Sequence, residues 1–255
     1  MTEPAFRTVW ITGASTGIGR ALALRLARDG STVVASARSA DRLAELAEEA
    51  PAGRILARPL DVTDADAVAE TWRGIVADLG VPDLCIMNAG THVPVDGTAP
   101  KAADFRALMD INFMGVVNVL ERAVPEMVAR GSGRLAVVSS VAGYRGLRTA
   151  AAYGATKAAL INMCESLRME LIGRGVIVQV VNPGFVDTPL TEGNRFPMPF
   201  LMPVDRAADR FYAGLRTDRF EITFPKRFTW ILKVMRCLPY AVYLPLVGRL
   251  TKPRA

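Results

Sequence analysis

The stretch from Thr8 to Gly30, TVWITGASTGIGRALALRLARDG, leaves this chain few ways to fold. Thr8 to Thr12 is a short apolar run that stops at a glycine and reads as a buried strand. Gly13, Gly17 and Gly19 follow, and Arg20 to Asp29 then carries apolar residues on a helical period with no breaker before Gly30. A strand, a glycine turn and a helix in that order bring main-chain N–H groups and a helix N-terminus to one point, where a phosphate can be held. Glycine is required because a side chain there blocks close approach of a pyrophosphate. Gly13, Ser15, Thr16, Gly17, Ile18 and Gly19 are therefore candidate dinucleotide-binding positions.

The same alternation continues along the chain. Strands are predicted over 32–37, 54–62, 83–87, 134–139 and 175–181, with helices over 41–50, 64–79, 104–130 and 149–173 between them. Asp64 is placed to cap the helix that follows it. The expected fold class is α/β: one doubly wound parallel sheet with helices on both faces. A ligand then lies across the carboxyl ends of the strands. With 255 residues, 51% apolar and 22% charged, the chain suits one domain with a sizeable core. That domain is expected over 1–224, followed by an extension over 225–255.

The segment Ser139 to Lys157, SSVAGYRGLRTAAAYGATK, holds the groups that carbonyl reduction needs. Tyr153 and Lys157 are four apart and project from one face of a helix. An ammonium so placed is expected to lower the phenol towards neutrality, so that it exchanges a proton with a substrate oxygen near pH 7. Ser140 follows a strand-like run, and its hydroxyl is placed to hydrogen-bond the same oxygen.

Together these motifs resemble the short-chain dehydrogenase/reductase family over roughly residues 7 to 190, with its Thr-Gly-x-x-x-Gly-x-Gly turn and its Tyr-x-x-x-Lys pair with an upstream Ser. The resemblance implies a Rossmann-type fold and hydride transfer between a nicotinamide cofactor and a carbonyl or alcohol. It assigns Asn112, in DINFMG, to a proton path ending at Lys157, and gives Lys157 a second role on the nicotinamide ribose. It places Asp61 and Val62 beside the adenine, and Asn88, Ala89 and Gly90 where the sheet is braced beside the cofactor. Pro183 and Gly184 support the nicotinamide, with Val186 and Thr188 at its carboxamide. Glu192 to Pro203, EGNRFPMPFLMP, falls in the family's substrate lid, about 190–215, and its apolar content argues for a hydrophobic substrate. A homo-oligomer, dimer or tetramer, is also implied.

NAD-binding folds hold the ribose 2′-hydroxyl with an acidic residue about 20 positions past the glycines. Here that region holds Ala37 and then Arg38, whose guanidinium suits a 2′-phosphate in charge and geometry. NADP(H) is expected in preference to NAD(H).

Other functions fit less well. Gly13-Ala14-Ser15-Thr16-Gly17 satisfies the G-x-S-x-G pattern of serine hydrolases, but it lies in the first strand–helix turn. The sole histidine, His92, comes far too early to complete that triad. A single histidine also argues against a metal centre. A non-catalytic nucleotide sensor is the main alternative, and the presence of Asn112, Ser140, Tyr153 and Lys157 together favours an enzyme. Three widely spaced cysteines and the lack of an apolar leader after Met1 point to the cytoplasm. Cys85 and Cys164 read as core.

The net charge of +6 does not indicate nucleic acid, because its source is local. Residues 225–255 contain seven basic residues and no acidic one, which leaves 24 basic against 25 acidic in the rest of the chain. A helix is expected over 228–238, with Thr229, Lys233 and Arg236 on one stripe and a broad apolar face opposite. Pro239 ends it. Such a helix suits either an anionic membrane surface or packing on its own domain or a second copy.

Overall fold

The structure, a computed structural model, describes residues 4–192 and 198–251. Its first half runs β1 (Thr8–Thr12), α1 (Gly17–Arg28), β2 (Thr32–Ala37), α2 (Ala40–Glu49), β3 (Ile55–Pro59), α3 (Ala65–Leu79) and β4 (Leu84–Met87). Then come α4 (Ala102–Met109), a π-helical turn at Asp110–Met114, α5 (Gly115–Arg130), β5 (Gly133–Val138), α6 (Ala151–Leu171) and β6 (Val176–Pro183). The chain continues through α7 (Pro189–Glu192), α8 (Val204–Leu215), β7 (Glu221–Phe224), α9 (Lys226–Arg236) and α10 (Tyr240–Leu250).

The strands form one parallel sheet in the order β3-β2-β1-β4-β5-β6-β7. The order reverses between β1 and β4, which opens a crevice at their carboxyl ends. Successive residues of β1 enter opposite layers. Val9 and Ile11 pack with Leu22, Leu26, Leu43 and Phe211 on one side of the sheet. Trp10 packs with Trp72, Leu135 and Leu160 on the other, and its indole N–H donates to the Ser36 hydroxyl at 3.0 Å. Burial on both faces explains why these strands read as continuous apolar runs.

Asp64 caps α3, its carboxylate accepting from the amides of Asp66 and Ala67 at 3.0 and 2.9 Å. Three departures from expectation matter for function. The expected helix over 104–130 is divided by the π turn, which carries Asn112 into the interior. Residues 204–215 are a core helix instead of part of a lid. In VDRAADRFYAGL the buried Ala207, Ala208, Phe211 and Leu215 recur with helical period, and α8 packs against α1. Strand β7 was not anticipated, because four residues beginning with a glutamate give little periodicity to read. Of the connection at 192–203, residues 193–197 lie outside the described residues.

Candidate active site

The glycine turn is built for close packing. Gly13 has φ +67°, and a Cβ there would lie 2.7 Å from the Ala89 Cα. A Cβ on Gly19 would lie 2.3 Å from the Gly13 carbonyl oxygen. The Asn88 side-chain amide donates to the carbonyls of Thr12 and Gly13 at 3.2 and 2.9 Å, tying the end of β4 to the turn. Thr16 precedes α1 without a side-chain capping bond, so main-chain N–H groups of the first turn remain available to an anion.

A cavity of about 1310 Å³ extends from this turn along the carboxyl ends of the strands. It exceeds the roughly 300–1,000 Å³ usual for small-molecule sites and suits a dinucleotide together with a substrate. Gly13, Ser15, Thr16, Gly17, Ile18, Arg38, Asp61, Val62, Asn88, Ala89 and Gly90 all line it, as do Pro183, Gly184, Val186 and Thr188. Gly19 stands behind the turn as a packing position. At one end Arg38 is joined by Arg42, from the first turn of α2, which the sequence did not single out. Asp61 turns its carboxylate onto the amide and hydroxyl of Thr63 at 3.0 and 2.8 Å. The Thr63 amide contributes most to holding this carboxyl below its ordinary range, and the Arg38 charge adds to it.

Ser140, Tyr153 and Lys157 all line this cavity. The end of β5 is laced to α6 in both directions: Ser139 Oγ donates to the Lys157 carbonyl at 2.7 Å, and Lys157 Nζ donates to the Val138 carbonyl at 2.8 Å. Gly143 allows this approach, since a Cβ there would lie 2.7 Å from the Lys157 carbonyl carbon. Ser140 Oγ accepts from the Ala142 amide at 3.1 Å and also hydrogen-bonds the Tyr153 hydroxyl. The expectation that Lys157 lowers the Tyr153 phenol is not met. Burial pushes the phenol up, and the Ser140 hydrogen bond only partly offsets this. The same burial lowers Lys157 to about 8, because the ammonium too is removed from water.

Asn112 is fully buried. Its side chain accepts from the Thr91 amide at 2.8 Å and donates to the Thr91 carbonyl at 3.0 Å and to Thr156 Oγ1 at 3.2 Å. A Cβ on Gly90 would meet Asn112 Oδ1 at 3.2 Å and Lys157 Nζ at 3.5 Å, so this glycine keeps open the space between them. His92, read from sequence as an ordinary loop residue, packs edge-on against the Tyr153 ring at 4.7 Å between centroids. Burial lowers its pKa, which favours the neutral imidazole. Only the fold brings it to the site.

The far wall of the cavity comes from α9 and α10, through Phe228, Ile231, Leu232, Met235, Tyr243 and Val247. The loop between Ser140 and Tyr153 holds these helices in place. Arg145 donates to the Leu238 carbonyl at 2.6 Å and stacks on the Tyr243 ring at 3.9 Å. Tyr243 Oη donates to the Gly146 carbonyl at 3.0 Å. Glu221, at the start of β7, accepts from Tyr144 Oη at 2.5 Å, from the Asn182 amide at 2.7 Å and from Lys233 of α9.

Known proteins resemble this chain over most of its length. The family profile described as short chain dehydrogenase matches residues 7–197. An "Uncharacterized oxidoreductase" of Myxococcus xanthus is 40% identical over 245 residues, 95% of this chain and 97% of its own length, so the match reaches well into 225–255. The "NADPH-dependent pterin aldehyde reductase" of Arabidopsis thaliana is 39% identical over 188 residues, covering 73% of this chain and 77% of the relative. Among solved structures, "ElxO with NADP Bound" superposes with a TM-score of 0.77 at 25% identity, covering 86% of this chain and 97% of that one.

Proposed function

This chain belongs to the short-chain dehydrogenase family, and we propose on that basis that it is an NADP(H)-dependent oxidoreductase interconverting a carbonyl and an alcohol on a hydrophobic, lipid-like substrate. The observation that carries this reading is the convergence of Ser140, Tyr153 and Lys157 on one cavity that begins at the glycine turn and ends in an apolar wall.

A nicotinamide cofactor held along this cavity would supply the hydride chemistry that interconverts carbonyl and alcohol. Tyr153 gives its proton to the carbonyl oxygen, and Ser140 hydrogen-bonds and orients that oxygen. Burial holds the phenol in its protonated form, the acid that carbonyl reduction uses. Lys157 uses one of its three N–H donors on Val138 and has others for the nicotinamide ribose. Asn112 fixes the wall across from Lys157, and the opening at Gly90 leaves room for a proton path between them.

Arg38 and Arg42 at the far end, with Ala37 where an acid would stand, support a 2′-phosphate. The NADPH in the Arabidopsis relative's name and the NADP in the ElxO structure support the same choice. The aromatic and aliphatic wall supports an apolar substrate. We place the enzyme in the cytoplasm as a homo-oligomer. Exposed Met109, Met114, Met169 and Ile172 offer apolar surface to a second copy, and light scattering tests that assembly.

The direct test follows NADPH absorbance with ketones and aldehydes of increasing chain length. Rates should rise with chain length and require NADPH. A protein that binds NADPH and reduces none of these carbonyls would overturn the reading.

A further inference from the structure

Helix α9 turns Thr229 and Lys233 towards β7, buries Phe228, and leaves part of its apolar face in solvent. Thr229 is 1% exposed and hydrogen-bonds Thr223 Oγ1 at 3.2 Å, and Lys233 pairs with Glu221. Thr223 and Glu221 of β7 hold these polar groups, Phe228 and Leu232 pack on the core, and part of the apolar face is left outside. Trp230 and Val234 are 66% and 65% exposed, and Ile231 is exposed beside them.

Helix α10 extends this surface. Its sequence, YAVYLPLVGRL, has one charged residue, and it buries only Tyr243 and Val247. Tyr240, Val242, Leu244, Leu246 and Leu250 are exposed. A helix apolar on every side belongs in a protein core or in lipid. At 11 residues α10 falls far short of the roughly 20 needed to span a bilayer. Among the described residues no helix is long and apolar enough to cross a membrane.

The charge around this surface is of one sign. Lys226, Arg227, Arg236 and Arg249 are exposed, none forms an ion pair among the described residues, and neither helix contains an acid. Exposed apolar helices bordered by cations, with Trp and Tyr among them, match the interface of an anionic bilayer. Ile231 and Leu250 are exposed and also line the cavity, so its rim is continuous with this surface.

We propose that the exposed faces of α9 and α10 seat in the headgroup region of an anionic membrane, with the cavity rim against the lipid. The inference concerns where the enzyme of the preceding section works and does not rest on its chemistry, and its test has no activity readout. Full-length protein is mixed with vesicles of phosphatidylcholine alone or with phosphatidylglycerol, and sedimentation and tryptophan fluorescence are measured. Trp10 and Trp72 are 1% and 2% exposed, so a blue shift on binding reports Trp230. Co-pelleting with the anionic vesicles and a blue shift are expected, both reversed by high salt. Lys226→Ala with Arg227→Ala should reduce partitioning about thirtyfold, from about fivefold per cation. Trp230→Glu with Val234→Glu should abolish it while circular dichroism and Tm stay unchanged, since both side chains point to solvent. No binding to anionic vesicles at low salt would overturn the proposal, as would binding that survives the glutamates. If wild type ignores vesicles and the glutamates instead reduce the oligomer's mass, the surface is a subunit interface and the proposal fails.

Discussion

Lys157 Nζ lies 5.6 Å from the centroid of the Tyr153 ring while it donates a hydrogen bond to the Val138 carbonyl at 2.8 Å. The two residues share one buried site without a direct bond between their polar ends. Burial raises the acidic phenol and lowers the basic amine, and each is driven towards its neutral form.

Tyr153→Phe should lower kcat by about 10²- to 10⁴-fold and leave NADPH affinity nearly unchanged, because only the proton transfer is lost. In the wild type, carbonyl reduction needs the protonated phenol, so its rate should hold through neutral pH and decline only in alkali. Alcohol oxidation needs the phenolate and should rise with pH. Rates measured in both directions against pH check this, and near-normal turnover by Tyr153→Phe would reject the acid–base role.

Lys157 has a folded-state value of about 8 against an ordinary 10.5. Between these values the unfolded chain binds the extra proton, so this group makes stability rise with pH across that window. Below about 8 the lysine is charged in both states and the full penalty of burying it applies. Lys157→Met should therefore gain stability relative to wild type at pH 7, with the difference shrinking by about 3 kcal/mol towards pH 10.5. Urea unfolding at pH 7 and pH 10 measures it. A difference that does not change with pH would mean the lysine is not desolvated.

Arg38 and Arg42 both line the cavity beyond Ala37. Charge-assisted contact with a phosphate contributes roughly 1.5–3 kcal/mol, a preference for NADPH over NADH of about ten- to a hundredfold. Arg38→Ala should reduce this preference, Arg42→Ala should reduce it further, and Ala37→Asp should shift it towards NADH. Binding titrations with both cofactors decide the matter, and equal wild-type affinities would rule out the assignment.

Glu221 ties β7 to Tyr144, Asn182 and Lys233, and so joins the loop after Ser140 to the helix that walls the cavity. Glu221→Ala should destabilise by about 2–4 kcal/mol, mainly by leaving Tyr144 and Asn182 without their acceptor. KM for a bulky substrate should rise more than the Kd of NADPH. Burial alone would raise this carboxyl, and hydrogen bonds from Lys233, Tyr144 and Asn182 hold it below its ordinary 4.5. Its contribution is thus complete above pH 4.5 and lost as pH falls through the lower folded value. Thermal melts from pH 3 to 7 on wild type and Glu221→Gln test this sign, since the glutamine should remove the acid-side loss.

The glycine turn, the strand–helix alternation and the Tyr153–Lys157 pair were legible in the chain because each depends on neighbours a few residues away. A Cβ at Gly19 strikes the carbonyl of Gly13, and Tyr153 and Lys157 share a helix face, whatever the rest of the protein does. Other features depend on groups far apart in sequence. His92 meets Tyr153 only through the packing of its loop on α6, and Arg42 reaches the cavity because α2 begins at the strand ends. The local pattern of α9 left open which face meets the protein, and that was decided by Glu221 and Thr223 of β7, which hold Lys233 and Thr229. Likewise, the four-residue spacing of Tyr153 and Lys157 said that an ammonium stands near a phenol, but their protonation depends on how much water surrounds both. That is fixed by the packing of α6 against the sheet, because desolvation is a property of the assembled core and not of any segment.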